Sequence, residues 1–278
     1  MKHEQDIRPL VPPKPEELEG WQERARALLE GNFEKPGQNS GQPFDFKNPN
    51  IILRDYVQVP DTKKVISKFE LLNYNNSNWQ DAHFKLHDNK LQMPEVPLFI
   101  QHFLNVVDAY KNKGKKQLFD ANGNSVSEKE IKDIFMHLTK NHIDIYNSGN
   151  PGAWAHLDAK FEQRSDGMYV LSEHRTFKDT KGNNLLQSKK AEKLEACVAN
   201  DSFTDLKFNK QGFPIKQSAK QEYRQGENIK FWAPVDGGVA RFGAVSVRAY
   251  LDCNWYPSFT NSSLGVRSCK AGLAGGIK

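Results

Sequence analysis

The sequence predicts an α+β fold, with helices early and antiparallel strands late. Three observations lead there. Apolar residues recur at helical spacing in several stretches between residues 79 and 140. From "AWAHLDAKFE" onward, short alternating runs bounded by turn residues take over. The 278-residue chain is 37% hydrophobic and 26% charged, which is enough apolar material for a core and too much for a disordered chain. Runs of helices followed by runs of strands build a layered α+β domain.

The opening "MKHEQDIRPLVPPKPEELEG" contains no apolar core segment, so no secretory signal is expected. No stretch is long and apolar enough to span a bilayer, and membrane insertion is not expected. Both points favour an intracellular or virion-associated location over Sec secretion. "RPLVPPKP" favours extended structure. Leu18, Trp21, Ala25 and Leu28 then repeat at helical spacing, with Gly31 as a stop. "EKPGQNSGQPFDFKNPN" has the composition of a linker. Residues 1–49 therefore read as an arm, a short helix and a linker, and residues 50–278 as the main domain.

Within that domain "IILRDYVQVP" reads as a strand closed by Pro60. After the polar loop "NYNNSN", Trp79, His83 and Leu86 share one helical face. A second helix is expected in "MPEVPLFIQHFLNVVDAY", with Phe99, Phe103, Val106 and Val107 inward. "DANGNSVSEKEIKDIFMHLTKN" reads as a turn and a third helix. There Ser127 and Glu130 have capping-box spacing, in which each side chain bonds the other's orphan backbone N–H. "GMYVLSEHRTF", "SFTDLKF" and "ENIKFWAP" read as strands.

Chemistry is sparse. The net charge of +5 is spread along the chain, with no basic stripe to point to nucleic acid. Asp120, Asn122 and Asn124 alternate as calcium ligands do. However, Ser125 stands where an EF-hand loop needs Gly, and Ile131 where it needs Glu, so a polar turn is expected. His83 and His87 are four apart, but no Glu follows His83 as in a zincin helix. His137 and His142 are more weakly placed still. His156, between Ala155 and Leu157, reads as a satisfied buried histidine. No metal or cofactor is assigned. Phosphate loops and nucleophile elbows are missing from the sequence. Cys197, Cys253 and Cys269 have no C-x-x-C spacing and read as buried, reduced thiols, with one bridge possible. Only Arg267 and Lys270, beside Cys269, offer a thiol any basic neighbour. No catalytic residue is assigned, and the chain is expected not to be an enzyme.

The closing segment is the most informative. Residues 239–269 contain no Lys, Glu, Gln or Met, although the rest of the chain is lysine-rich. Alternation places Phe242, Ala244 and Ser246 on one face and Gly243, Val245 and Val247 on the other. The phase slips after Arg248. Ala249, Leu251, Cys253 and Trp255 then share the inward face, while Tyr250, Asp252, Asn254 and Tyr256 face out. Phe259 and Asn261 lie in a following turn, and Leu264 and Val266 in a last core strand. The outward residues have no common chemistry, but Tyr, Ser, Gly and Asn are what binding loops favour. The competing reading is an ordinary amphipathic hairpin with a few exposed aromatics. Every outward residue has a codon ending in a pyrimidine. Randomising the adenines of an AAY asparagine codon reaches all of them, and it cannot reach Lys, Glu, Gln, Met or Trp.

With its ending "SSLGVRSC", this segment resembles the variable proteins of diversity-generating retroelements. "WAHLDAKF", "SAKQEYRQGENIKFWAP" and "KLQMPEVPLFIQHF" are similar to their scaffold, the last to the formylglycine-generating-enzyme branch. The resemblance spans roughly residues 50–270 and implies a C-type-lectin-like domain with a variable region at about residues 239–269. It implies that Gly243, Val245, Val247, Tyr250, Asp252, Asn254, Tyr256, Phe259, Asn261 and Ser263 are diversified ligand-binding positions. Phe242, Ala244, Leu251, Trp255, Leu264 and Val266 would be fixed scaffold. The partner would be a protein or a cell-surface ligand. Cys253 and Cys269 lack the close spacing of the related oxidases, and no Glu-Pro-Asn run suggests calcium-dependent sugar binding. A fold-related oxidase, or a virion, tail or receptor-binding protein without diversification, are the alternatives. The sequence does not address oligomeric state.

Overall fold

The computed structural model describes residues 53–71, 77–140, 152–245, 248–260 and 264–271. The arm, short helix and linker expected in residues 1–49 lie outside them. The chain is a mixed α+β fold, mostly strands with three helices among the described residues.

A 3-10 turn at Leu53–Asp55 precedes β1 (Tyr56–Val59), so the first strand is shorter than "IILRDYVQVP" led us to expect. β1 pairs antiparallel with β2 (Lys64–Ser67). Helix α1 (Trp79–Asp88) starts where the Asn78 side chain accepts the Asp81 N–H at 2.8 Å, and it buries Trp79, Ala82, His83 and Leu86. Helix α2 (Val96–Lys111) has Pro97 in its first turn, where a missing N–H costs nothing. Helix α3 (Glu128–Lys140) carries the expected capping box. Ser127 Oγ accepts the Glu130 N–H at 3.2 Å, and Glu130 Oε2 accepts the Ser127 N–H at 3.3 Å. The turn before it is polar as expected, with the Asp120 carboxylate accepting the N–H groups of Asn122 and Asn124 at 2.8 Å.

The strands that follow are β3 (Gly152–Arg164), β4 (Gly167–Ser172), β5 (Arg175–Lys178), β6 (Asn184–Gln187), β7 (Lys190–Lys193), β8 (Ser202–Asp205), β9 (Asn228–Trp232), β10 (Val239–Val245), β11 (Arg248–Trp255), β12 (Leu264–Val266) and β13 (Cys269–Ala271). The main sheet is eight-stranded in the order β7-β4-β3-β10-β11-β9-β8, with β12 also on β3. The long β3 lends its first half to β12 and its second half to β4. Two pairings depart from the antiparallel expectation, since β9–β11 and β3–β12 are parallel. "GMYVLSEHRTF" is two strands rather than one. Glu173 sits at φ 54, a left-handed turn that sends β5 away to pair with β6.

Each face of the sheet packs a core. On one side Phe99 and Phe103 of α2 meet Phe242 of β10 at ring distances of 4.8 and 5.1 Å. Ile134 and Leu138 of α3 and Leu251 of β11 belong to the same cluster. On the other side Trp79 and Leu86 of α1 pack with Tyr56, Val65, Val239 and Val266. The last described strands are tied back firmly. β13 pairs with β2, and the Leu71 N–H donates to the Val266 carbonyl at 2.8 Å. Arg267 is fully buried. Its Nε donates to Glu70 at 3.1 Å and its Nη1 to the Ser67 carbonyl at 2.9 Å. His137 Nε2 of α3 lies 2.5 Å from the same carboxylate.

Candidate functional site

Strand register decides which residues share a face, because directly paired residues point the same way. Gly243 pairs with Trp154 on β3 and with Tyr250 on β11. Arg241 pairs with His156 and with Asp252. The parallel pairing sets Lys230 beside Tyr250 and Trp232 beside Asp252. One face of β3, β10, β11 and β9 therefore carries Trp154, Arg241, Gly243, Tyr250, Asp252, Lys230 and Trp232. The helix-packed face carries Phe242, Ala244, Ala249, Leu251 and Cys253, all buried as the alternation predicts.

The outward face forms a continuous aromatic row. Trp232 stacks on Tyr250 at 4.9 Å with 15° between planes, and Tyr250 lies 5.6 Å from Trp154. Gly243 supplies no side chain between the strands that carry Trp154 and Tyr250, which lets their rings approach over it. The Arg241 guanidinium continues the row, 3.8 Å from the Trp154 ring centre and 3.2 Å from that of Trp255. Phe259 meets Trp255 edge-on at 4.7 Å.

Asp252 faces outward as expected but is only 3% exposed. Arg241 Nε and Nη2 donate to its Oδ2 at 3.1 and 2.9 Å. Burial pulls Arg241 down to about 10, with Asp252 opposing, so the guanidinium stays charged at neutral pH. Burial likewise raises the Asp252 carboxyl, with Arg241 opposing. The pair is a covered floor of the face rather than a free binding group.

Trp255 corrects an expectation. The alternation assigns it to the inward face with Cys253, yet it pairs with Val239 and lies against Arg241. Between the Arg241–Asp252 and Val239–Trp255 pairs, β11 has one more residue than β10. This bulge reverses the phase and turns Trp255 to the other face.

The remaining candidate positions divide clearly. Tyr256 is 73% and Phe259 38% exposed, whereas Tyr250 and Asn254 are half-buried. Val245 is the last residue of β10. Val247, Asn261 and Ser263 lie outside the described residues. Sequence reasoning missed Arg241, although it sits two residues before Gly243 and so shares its phase. Trp154, Lys230 and Trp232 join the face only through sheet order, which no local pattern carries.

The histidines and cysteines are also placed. His83 is buried and His87 exposed, so the two do not converge. His142 lies outside the described residues. His156 is buried but only half satisfied. Its Nε2 is 3.3 Å from the Ser77 carbonyl, and its Nδ1 has no hydrogen-bond partner among the described residues. His83 instead approaches Asp158 and His174 beneath α1. The three thiols are free, and burial pushes Cys269 up to about 12, away from a reactive thiolate. Among the described residues no helix is long and apolar enough to cross a membrane. No family model, curated protein or solved structure matches this chain.

Proposed function

We propose that this chain is a non-enzymatic binding protein with a C-type-lectin-like domain, whose aromatic sheet face and adjoining turn are diversified by a retroelement through adenine-directed mutagenesis. One observation carries the reading. Among the described residues, Gly243, Tyr250 and Asp252 share one aromatic face, while the alternating positions Phe242, Ala249 and Leu251 belong to the core cluster that holds α2 and α3. Changes at the exposed Tyr256 and Phe259 cost little, whereas changes in the helix-packed face or at the buried Arg241–Asp252 pair cost much. Strands hydrogen-bonded on both sides hold the backbone, so each variant presents a preorganised surface. Tyr250, Tyr256 and Phe259 supply rigid contact area around the covered Arg241–Asp252 pair. The ligand would be a protein or cell-surface group, engaged first by the exposed Tyr256 and Phe259.

The genome around the coding sequence tests this. A near-copy of the segment encoding residues 239–269, differing at adenines and accompanied by a reverse transcriptase gene, is expected. A complete genome with neither feature contradicts diversification.

A further inference from the structure

Beneath α1, three potential metal ligands converge. His83 comes from α1, Asp158 from the stretch of β3 that bulges against β10, and His174 from the link between β4 and β5. The left-handed turn at Glu173 brings both the backbone and the ring of His174 to Asp158. The His174 N–H donates to Oδ2 at 3.1 Å, and Nδ1 lies 2.5 Å from Oδ1. His83 Nε2 is 3.6 Å from the same Oδ1, and each residue's ligand atom lies within 4.8 Å of the others.

His83 Nε2 is buried with no hydrogen-bond partner among the described residues. Trp79 cannot satisfy it. The indole meets both imidazoles in T-shaped contacts at 4.4 and 4.9 Å, but its N–H donates to the Leu157 carbonyl at 2.9 Å. A buried polar atom without a partner costs about 1–3 kcal/mol, so the arrangement calls for something to fill it.

We propose that His83 Nε2, Asp158 Oδ1 and His174 Nδ1 form a Zn2+-type divalent metal site that fastens α1 and the β4–β5 link to β3. Two borderline imidazole nitrogens and a hard carboxylate oxygen form a donor set that Zn2+ accepts. A tetrahedral ion with bonds of about 2.0–2.1 Å needs ligand separations of roughly 3.3 Å. The present separations lie on either side of that value, so side-chain shifts of about 1 Å close the set. Binding replaces the proton between His174 Nδ1 and Asp158, and the ion takes up the lone pair of His83 Nε2. The fourth position is left for water. The positive charge of nearby Arg175 opposes the cation, and the Asp158 carboxylate offsets it. This site stands independently of the proposed binding face.

The test uses the full, tag-free chain, stripped with chelator and titrated with Zn2+ against a chromogenic competitor. One equivalent of Zn2+ should bind and raise the thermal midpoint, and Co2+ should give the visible absorption of a four-coordinate site. His83→Ala and the near-isosteric Asp158→Asn should each weaken Zn2+ binding by at least about tenfold. Asp158→Asn should keep the metal-free fold by circular dichroism, while His87→Ala should leave binding unchanged. No bound equivalent in the wild-type chain would overturn the proposal. So would undiminished binding in both His83→Ala and Asp158→Asn, because the metal would then sit elsewhere.

Discussion

Asp252 and Arg241 bring stability and variability into direct competition at the scale of single residues. Both are buried and each is the other's main partner. Asp252→Ala leaves a covered guanidinium uncompensated, so equilibrium denaturation should show a loss of about 3–5 kcal/mol. A loss below about 1 kcal/mol would mean that Arg241 escapes to water. The same competition would limit what position 252 tolerates if the proposed diversification reaches it. Its outward phase is local to β11, whereas its partner lies on the next strand, where alternation cannot find it. Glu70 provides the second prediction. Burial alone would raise its carboxyl, but Arg267 and His137 outweigh that and hold it far below its ordinary value of 4.5. The unfolded chain therefore takes up this proton before the folded one does. The contribution is fully present above about pH 4.5 and declines as pH falls below it. Denaturation midpoints measured between about pH 6 and pH 3 should fall on the acid side, and Glu70→Gln should flatten that fall. An unchanged acid limb in the variant would show that Glu70 does not carry it.

At the scale of elements, the β10–β11 hairpin should behave as a two-faced sheet. Leu251→Ala opens a cavity under α2 and α3 and should cost about 2–5 kcal/mol in chemical denaturation. Tyr256→Ala removes an exposed ring and should change stability by no more than about 0.5 kcal/mol. Similar costs at the two positions would contradict the division of faces. The division was legible in the sequence because alternation is local. So were α1, α2 and α3, whose spacing and capping signals lie within a few residues. The Trp255 reversal was not legible, since the extra residue in β11 is defined only against β10. Two strands in place of one at "GMYVLSEHRTF" likewise depend on the backbone sign at Glu173, a residue type that rarely adopts it.

The whole molecule is closed by its C-terminal strands. β12 lies on β3 and β13 on β2, while Arg267 joins Glu70, which in turn contacts His137 of α3. A chain truncated before Leu264 should therefore lose cooperative unfolding, observed as a broad calorimetric transition. A sharp transition in the truncated chain would show that the end merely decorates the fold. None of these long-range pairings is visible in the sequence, which carries "SSLGVRSC" as a pattern but not its destination. The α+β class was legible because helix and strand periods occupy separate parts of the chain. The aromatic face became whole only when β3 and β9 were brought to the closing hairpin. The central claim is that this face is rewritten while the scaffold beneath it is kept. Deep sequencing of the coding region across a population that carries it tests this most directly. We predict substitutions concentrated at the candidate codons, among them 243, 250, 254, 256 and 259, at positions templated by adenine, with Phe242, Ala244 and Leu251 unchanged. Substitutions spread evenly over both faces, or a segment as invariant as the helices, would contradict the account.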